Sequence, residues 1–279
     1  MQNPRFEDDF YRRYYSDFYP YMRTRSESNN KNDPNNVGGK SQMNVDGTPN
    51  DFGFEVALER AKNFYKYFQK MDISIPSKKL LDVGCGCGGY LEYFNSVGFI
   101  SKGNDPDDKS ANFALSKGLD VDMIPAEDMN YKEKYGLVII VGSLEHCRDP
   151  NIVLKKCWEY LEDFGLIIIK GRYYPISESF RWLNSNHHRF FTDKSAQAIL
   201  IKHGFKIIKS TTDPVEGLNT GRKGGGFCFA RKDKSAKRYL SDLDYDSLIS
   251  KLTELNLKEN NENFLENLKK HDLKFDIKF

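Results

Sequence analysis

The sequence contains no run approaching the roughly 20 apolar residues that a membrane-spanning helix needs, which excludes a helical membrane span. An apolar leader is lacking too. The N-terminus carries charges and tyrosines where a signal peptide would require a hydrophobic segment, so the chain is expected to act in the cytoplasm. Neither sign of charge prevails: lysine and arginine number 42, aspartate and glutamate 40. No global basic field therefore attracts nucleic acid or acidic lipid. There is also no Asn/Asp-Pro-Pro-aromatic motif for an extruded base, and nucleic acid is disfavoured as a partner. Cysteine is scarce, with 5 residues at Cys85, Cys87, Cys147, Cys157 and Cys228. Cys85 and Cys87 lie close together, but no second Cys or His pair completes a four-ligand zinc set. No metal is expected, and the favoured reading is that these small residues fill tight loop positions.

What is present is enough for one catalytic-size domain with appendages: 279 residues, 39% of them hydrophobic. Residues 1–50 form an N-terminal segment. Its first half is dense in aromatics and arginines, among them Tyr11, Arg12, Tyr14, Phe18 and Arg23, and is expected to fold over the main domain and help close a ligand site. Its second half, rich in Asn, Ser, Gly, Pro and Asp, reads as a loop or mobile linker suited to a lid. Residues 51–232 form the main domain. Residues 233–279 read as charged helices, Leu240 to Leu255 and Phe264 to Leu268. They could be a packing appendage or an oligomer contact, so a homo-oligomer stays open.

Within 51–232 apolar spacing predicts an amphipathic helix over Phe54 to Met71. Strands and helices then take turns: strand at Leu80 to Val83, helix at Tyr90 to Val97, strand at Ile100 to Asn104, helix at Lys109 to Lys117. Next come strands at Val121 to Ile124 and Leu137 to Val141, a helix from Asn151 to Leu161 and a strand at Leu166 to Lys170. After an insert over 171–191, longer than common strand-helix connections, follow a helix at Asp193 to His203 and strands at Phe205 to Lys209 and Phe227 to Arg231. This alternation implies an α/β fold, a doubly wound, mainly parallel sheet covered on both faces.

The chemistry concentrates in Leu80-Leu81-Asp82-Val83-Gly84-Cys85-Gly86-Cys87-Gly88-Gly89-Tyr90. An apolar run ending in an acid and alternating glycines describes a buried strand turning sharply into a loop whose backbone can approach a ligand. Alone it is a weak signal, shared by several nucleotide-type cofactors. Asp105 ends the second strand about twenty residues later, where a carboxylate can accept hydrogen bonds from ribose hydroxyls. An ordinary turn aspartate before Pro106 is the plainer alternative.

Four segments in order, Asp82 to Gly88, Gly103-Asn104-Asp105-Pro106, Ala126-Glu127-Asp128-Met129 and Gly142-Ser143-Leu144-Glu145-His146-Cys147-Arg148-Asp149-Pro150, resemble the class I S-adenosylmethionine-dependent methyltransferases. Within that superfamily the resemblance is to small-molecule enzymes such as ubiquinone-biosynthesis and sugar O-methyltransferases, and it covers about Leu80 to Arg231. It implies a seven-stranded Rossmann-like methyltransferase sheet whose last strand, Phe227 to Arg231, runs antiparallel. It also implies S-adenosylmethionine as cofactor. Gly84, Cys85, Gly86 and Gly88 would hold the methionine moiety, with Asp82 near its amino group. Asp105 and the adjoining Pro106 would meet the ribose. Ala126, Glu127, Asp128 and Met129 would surround the adenine, Asp128 accepting from its exocyclic amine. Gly142, Ser143 and Leu144 would line the floor near the sulfonium. Two departures stand out: Met129-Asn130-Tyr131 in place of Leu-Pro-Phe, and Phe164-Gly165 in place of Pro-Gly-Gly.

Methyl transfer to an alcohol needs an in-line approach and removal of a proton. His146, after the fourth strand, is the candidate base, with a loop-orienting role as the alternative. His187 and His188 are the alternative bases. Arg172, Tyr173, Arg181 and Arg189 form the expected wall of the acceptor site, since arginines clamp anions and aromatic faces pack on sugar rings. The expected acceptor is a polar small molecule, a hydroxyl of a sugar, nucleotide-sugar or glycan precursor. The alternatives are a quinone-type acceptor, a nicotinamide-dependent oxidoreductase, and a methyltransferase-like module that binds without catalysis.

Overall fold

Asn50 opens the first helix by accepting a hydrogen bond on its side chain from Gly53 N at 2.8 Å, and the chain then alternates helices and strands to Lys232. The computed structural model describes residues 42–44, 46–172, 191–213, 215, 218 and 225–235. Among them the elements in chain order are α1 (Asp51–Lys70), β1 (Lys79–Val83), α2 (Gly89–Ser96), β2 (Ile100–Asn104), α3 (Asp108–Ser116), β3 (Val121–Asp122), a 3-10 turn (Ala126–Asp128), β4 (Tyr135–Val141), α4 (Pro150–Tyr160), β5 (Leu161–Arg172), α5 (Asp193–Lys202), β6 (Phe205–Thr211) and β7 (Gly225–Lys232). None of the described helices is long and apolar enough to cross a membrane.

Local chemistry sets the helix starts. Asp107 and Asp149 accept from the backbone two residues on to cap α3 and α4, and Pro150 takes the first turn of α4, where its missing N–H is harmless. Thr192 and Ser195 exchange side-chain and backbone bonds in a capping box that starts α5. α2 starts instead at Gly88, in the left-handed region and without a side-chain cap, leaving its N-terminal amides facing the glycine loop.

The strands form one seven-stranded sheet of order β3-β2-β1-β4-β5-β7-β6. β7 runs antiparallel to both β5 and β6, and the pairings β1–β2, β1–β4, β2–β3 and β4–β5 are parallel. Strand side chains alternate between two apolar layers, as a pleated sheet covered on both faces demands. Leu81, Val83, Val138, Ile140, Ile167 and Ile169 pack with α4 and α5 on one face. Leu80, Leu137, Ile139, Leu166, Ile168, Phe227 and Phe229 pack with Phe64 and Phe68 of α1 and Phe94 of α2 on the other.

The clearest departures from the sequence expectation are in β5 and β3. β5 begins at Leu161, immediately after α4, where a helix end was expected; Leu161 pairs with Tyr135 and Leu166 with Leu137, so the residues between them bulge. Phe164 turns this bulge at φ 62. The Arg231 guanidinium clamps it by donating to the carbonyls of Phe164 and Ser74, each at 2.9 Å. β3 stops at Asp122 because Ile124 N turns back to Asp122 O at 3.0 Å and Pro125 has no amide to continue the ladder. Residues 42–50 close a short turn, with Met43 bridged to Pro49 and Asp46 O accepting from Lys109 Nζ at 2.6 Å.

Strand order grows from β1 toward β2 and β3 on one side and toward β4 and β5 on the other. The connections diverge at the carboxyl ends of β1 and β4, which opens a crevice there, the usual ligand position of such sheets.

Candidate cofactor and active site

The loop after β1 is fastened to β2. Gly84 N and Cys85 N both donate to Asn104 O at 2.9 Å, and Gly86 N donates to Asp105 Oδ2 at 2.7 Å. The other Asp105 oxygen accepts from Asp107 N at 2.9 Å. Asp105 therefore braces the glycine loop from the end of β2. On the far side Ser143 Oγ donates to Val83 O at 2.5 Å, tying the loop after β4 to the end of β1.

Two glycines of this loop serve different ends. Gly84 has φ 76, and a Cβ there would collide with the Ser143 side chain. Gly86 has φ 54, yet a Cβ there would meet nothing within 4 Å. The same openness holds at Gly142 after β4. Gly86 and Gly142 thus bound open space at the crevice, while Gly84 and Gly88 are closely packed beneath it.

Asp82 is 1% exposed, and its Oδ1 has no hydrogen-bond partner. Burial, with the Asp105 charge adding to it, pushes its carboxyl up to about 8. Burial and the charge of Asp82 also raise the Tyr90 phenol, while Arg60 of α1 acts the other way. Asp82, Tyr90 and Arg60 therefore form one electrostatic group under the loop. Burial first, then the Asp105 and Asp82 charges, hold the Cys85 thiol well above its ordinary value, so it stays protonated and unreactive. Among the described residues no three His, Cys, Asp or Glu side chains stand close enough to hold a metal ion.

The adenine segment divides. Ala126 is buried, Asp128 is exposed on the 3-10 turn, and Glu127 accepts from Asp149 N at 2.9 Å, linking this turn to the cap of α4. The Met129 side chain is wholly buried in the core, and its carbonyl accepts from Lys156 and from Tyr160 Oη. Pro106 is half-buried beside Asp105. After β4, Leu144 packs into the core. Glu145 is 5% exposed with Oε2 unpartnered, and His146 N donates to Ser143 O at 3.0 Å in the turn that holds it half-buried. His187, His188, Tyr173, Arg181 and Arg189 lie outside the described residues; of Arg172 only the backbone, ending β5, is described.

Sequence reasoning singled out neither Arg60 nor Tyr90, which couple electrostatically with Asp82, nor the buried Glu145. Arg60 was hidden in an amphipathic helix as one more exposed-face cation, and Tyr90 looked like the start of the next helix. Asn104, wholly buried with Oδ1 unpartnered, was likewise read only as a strand end.

A doubly wound sheet with a reversed penultimate-position strand, and a glycine cradle over a buried carboxyl at its switch point, define a class I methyltransferase fold. The chain belongs to the family described as methyltransferase domain, whose model matches residues 52–210, more than half of its length. Among similar proteins, a ubiquinone biosynthesis O-methyltransferase of Nitrobacter winogradskyi is 29% identical over 97 residues, 32% of this chain and 36% of that protein. One from Bordetella avium is 30% identical over 110 residues, 37% of this chain and 46% of that protein. The chain thus matches less than half the length of these relatives. In structure it is similar to magnesium protoporphyrin IX methyltransferase from Synechocystis with bound SAM, at a TM-score of 0.54 and 15% identity, covering 83% of this chain and 100% of that one. This last likeness is one of fold.

Proposed function

We propose that this chain transfers a methyl group from S-adenosylmethionine to a hydroxyl of a small-molecule acceptor. The observation that carries the reading is Asp82. Its buried, unpartnered oxygen belongs to the strand that runs into the glycine loop, where Gly86 borders open space, in a chain of the methyltransferase-domain family. A buried acceptor without a donor is costly unless a ligand supplies one, and an ammonium group is the fitting donor. Arg60, the cation acting on neighbouring Tyr90, suits the carboxylate of the same amino acid. Asp105, at the end of β2 beside the glycine loop, suits ribose hydroxyls, and exposed Asp128 suits an exocyclic amine.

When bound, S-adenosylmethionine would supply an electrophilic methyl group held in line with the acceptor. The chain's own residues would do the rest: the loops after β1 and β4 orient the donor, and a ring nitrogen of His146 takes the acceptor's hydroxyl proton. Of the acceptors expected from the sequence, a quinone-type ring hydroxyl is favoured, because the similar proteins are named O-methyltransferases of ubiquinone biosynthesis. The sugar acceptor rested on the wall of Arg172, Tyr173, Arg181 and Arg189, whose side chains lie outside the described residues.

Titration calorimetry with S-adenosylmethionine, followed by methyl-transfer assays on catechol-type quinone precursors and on nucleotide sugars, tests this reading. Binding of S-adenosylmethionine and turnover of a catechol ring are expected, with His146→Ala lowering kcat about 100-fold or more. Binding of NAD with no response to S-adenosylmethionine would overturn the donor; turnover of sugars alone would overturn the acceptor; unchanged kcat in His146→Ala would remove it as base.

A further inference from the structure

The amino edge of the sheet lies opposite the crevice and takes no part in the site described above. Yet the two most exposed large apolar side chains among the described residues stand there, Ile100 at 71% and Phe164 at 64% exposure. Ile100 starts β2 and Phe164 turns the bulge of β5. With β1 and β4 between them, three strand spacings set them about 14 Å apart. Beside Ile100, toward β4, a cavity of about 190 Å³ is walled by Ile100, Lys79, Lys102, Glu133 and Tyr135. Phe164 at φ 62 holds a left-handed conformation that glycine takes without strain. A bulky residue keeps it only where its surroundings enforce it. They do so from the end of β7: Arg231 donates to Phe164 O, Lys232 Nζ to Leu161 O at 2.7 Å, and Lys234 pairs with Asp163 at 2.7 Å. The Arg231 guanidinium also donates to Ser74 O, which brings half-buried Ile73 and Ile75 beside the bulge. A polar clamp thus presents an aromatic ring outward on a partly apolar rim, the form of an interaction surface.

We propose that residues 245–255 of this same chain form a helix that lies across the amino edge and covers Phe164 and Ile100. Three observations fit this occupant. β7 runs antiparallel to β5, so it delivers the chain to the amino edge, and the last described residue, Ser235, follows directly on Lys234 at the bulge. The connection over 236–244 reaches up to about 30 Å when extended, enough for either end of the surface. Tyr245, Leu248, Ile249, Leu252 and Leu255 recur at helical spacing, and a helix of that length runs about 16 Å, close to the distance from β2 to β5. So short a helix is marginal alone in water and needs an apolar partner. Exposed Lys78 and Lys79 at the start of β1 complement Asp242, Asp244 and Asp246 at its front end. A second copy of the chain is the competing occupant, but the tether makes docking of the chain's own segment intramolecular. The inference is independent of which donor or acceptor the crevice takes.

The test is hydrogen exchange on the full chain, with light scattering at the same protein concentrations. The unaltered protein is expected to be monomeric, with the amides of 245–255 protected about tenfold or more over free-peptide rates. Phe164→Asn suits the left-handed backbone and Ile100→Thr keeps the strand. Together they should cut that protection about tenfold while exchange in β4 stays unchanged. Leu248→Asp with Leu252→Asp should do the same and, in return, speed exchange of the amides at 163–165. Absence of protection in 245–255 overturns the inference. So does protection that ignores the two edge substitutions, since the segment would then lie elsewhere. Protection that rises with protein concentration alongside a dimeric mass makes a second copy the occupant and equally overturns it. Both edge substitutions replace exposed side chains, and exchange in β4 reports in the same experiment that the domain is folded.

Discussion

Gly84 and Gly86 are two residues apart and would fail differently if given a methyl group. At Gly86 alanine meets no protein atom, so the folded state bears only the left-handed strain of about 1 kcal/mol, and the methyl enters the cradle. Gly86→Ala is expected to keep its melting temperature within a few degrees and to weaken S-adenosylhomocysteine binding about tenfold or more, or ~1.4 kcal/mol. Gly84→Ala forces the added carbon onto the Ser143 side chain, and overpacking adds to the strain at φ 76. It should destabilise by about 2–4 kcal/mol, visible as a lower denaturant midpoint. Equal stability of the two variants would contradict this division. Both glycines were legible in the sequence as a loop, but their separate tasks were not, because what sets Gly84 apart is Ser143, held there from the loop after β4 by its Oγ donating to Val83 O.

At the scale of elements, α1 matters more to the site than its position before the first strand suggests. It carries Arg60 and buries Phe64, whose ring lies 5.5 Å from Tyr90 and 5.6 Å from Phe227. Phe64→Ala should cost about 3–5 kcal/mol through the cavity it leaves, measured by denaturant unfolding. Asn50→Ala removes the cap of the same helix and should cost about 1 kcal/mol, with little effect on nucleoside affinity because Arg60 lies more than two turns farther on. Most elements were legible because apolar spacing and caps act locally. The start of β5 was not: Leu161 to Gly165 reads as a helix end and a turn, and its pairing depends on Tyr135 and on the Arg231 clamp.

For the whole molecule, burying Asp82 links stability to pH. Its folded carboxyl titrates near 8 against about 3.9 in an unfolded chain, so the folded state holds the proton more tightly. The stability this group contributes is complete below about pH 4 and is lost as pH rises toward 8. In Asp82→Asn that loss is absent. The difference in melting temperature between Asp82→Asn and the unaltered protein should therefore widen in favour of the variant from pH 5 to pH 8. Ligand-free protein is the sample to use, since an ammonium ligand would offset the cost. A constant difference across that range would show Asp82 ionised throughout.

The sequence by itself determined the alternation of elements, the two-faced apolar sheet, the glycine loop and the acid ending β2, because each follows from spacing within a few residues. The antiparallel last strand and the methyltransferase class came from four motifs in order rather than from any one of them. Tertiary structure decided the rest. It set Asp105 to bracing Gly86, turned Met129 and Leu144 into the core, and left buried, unpartnered oxygens on Asp82, Asn104 and Glu145. Whether a buried polar atom has a partner depends on what distant segments bring to it, and that is invisible in a local pattern. The Asp82 carboxyl of β1 is one such case: buried, with one oxygen unpartnered, and pushed up by that burial.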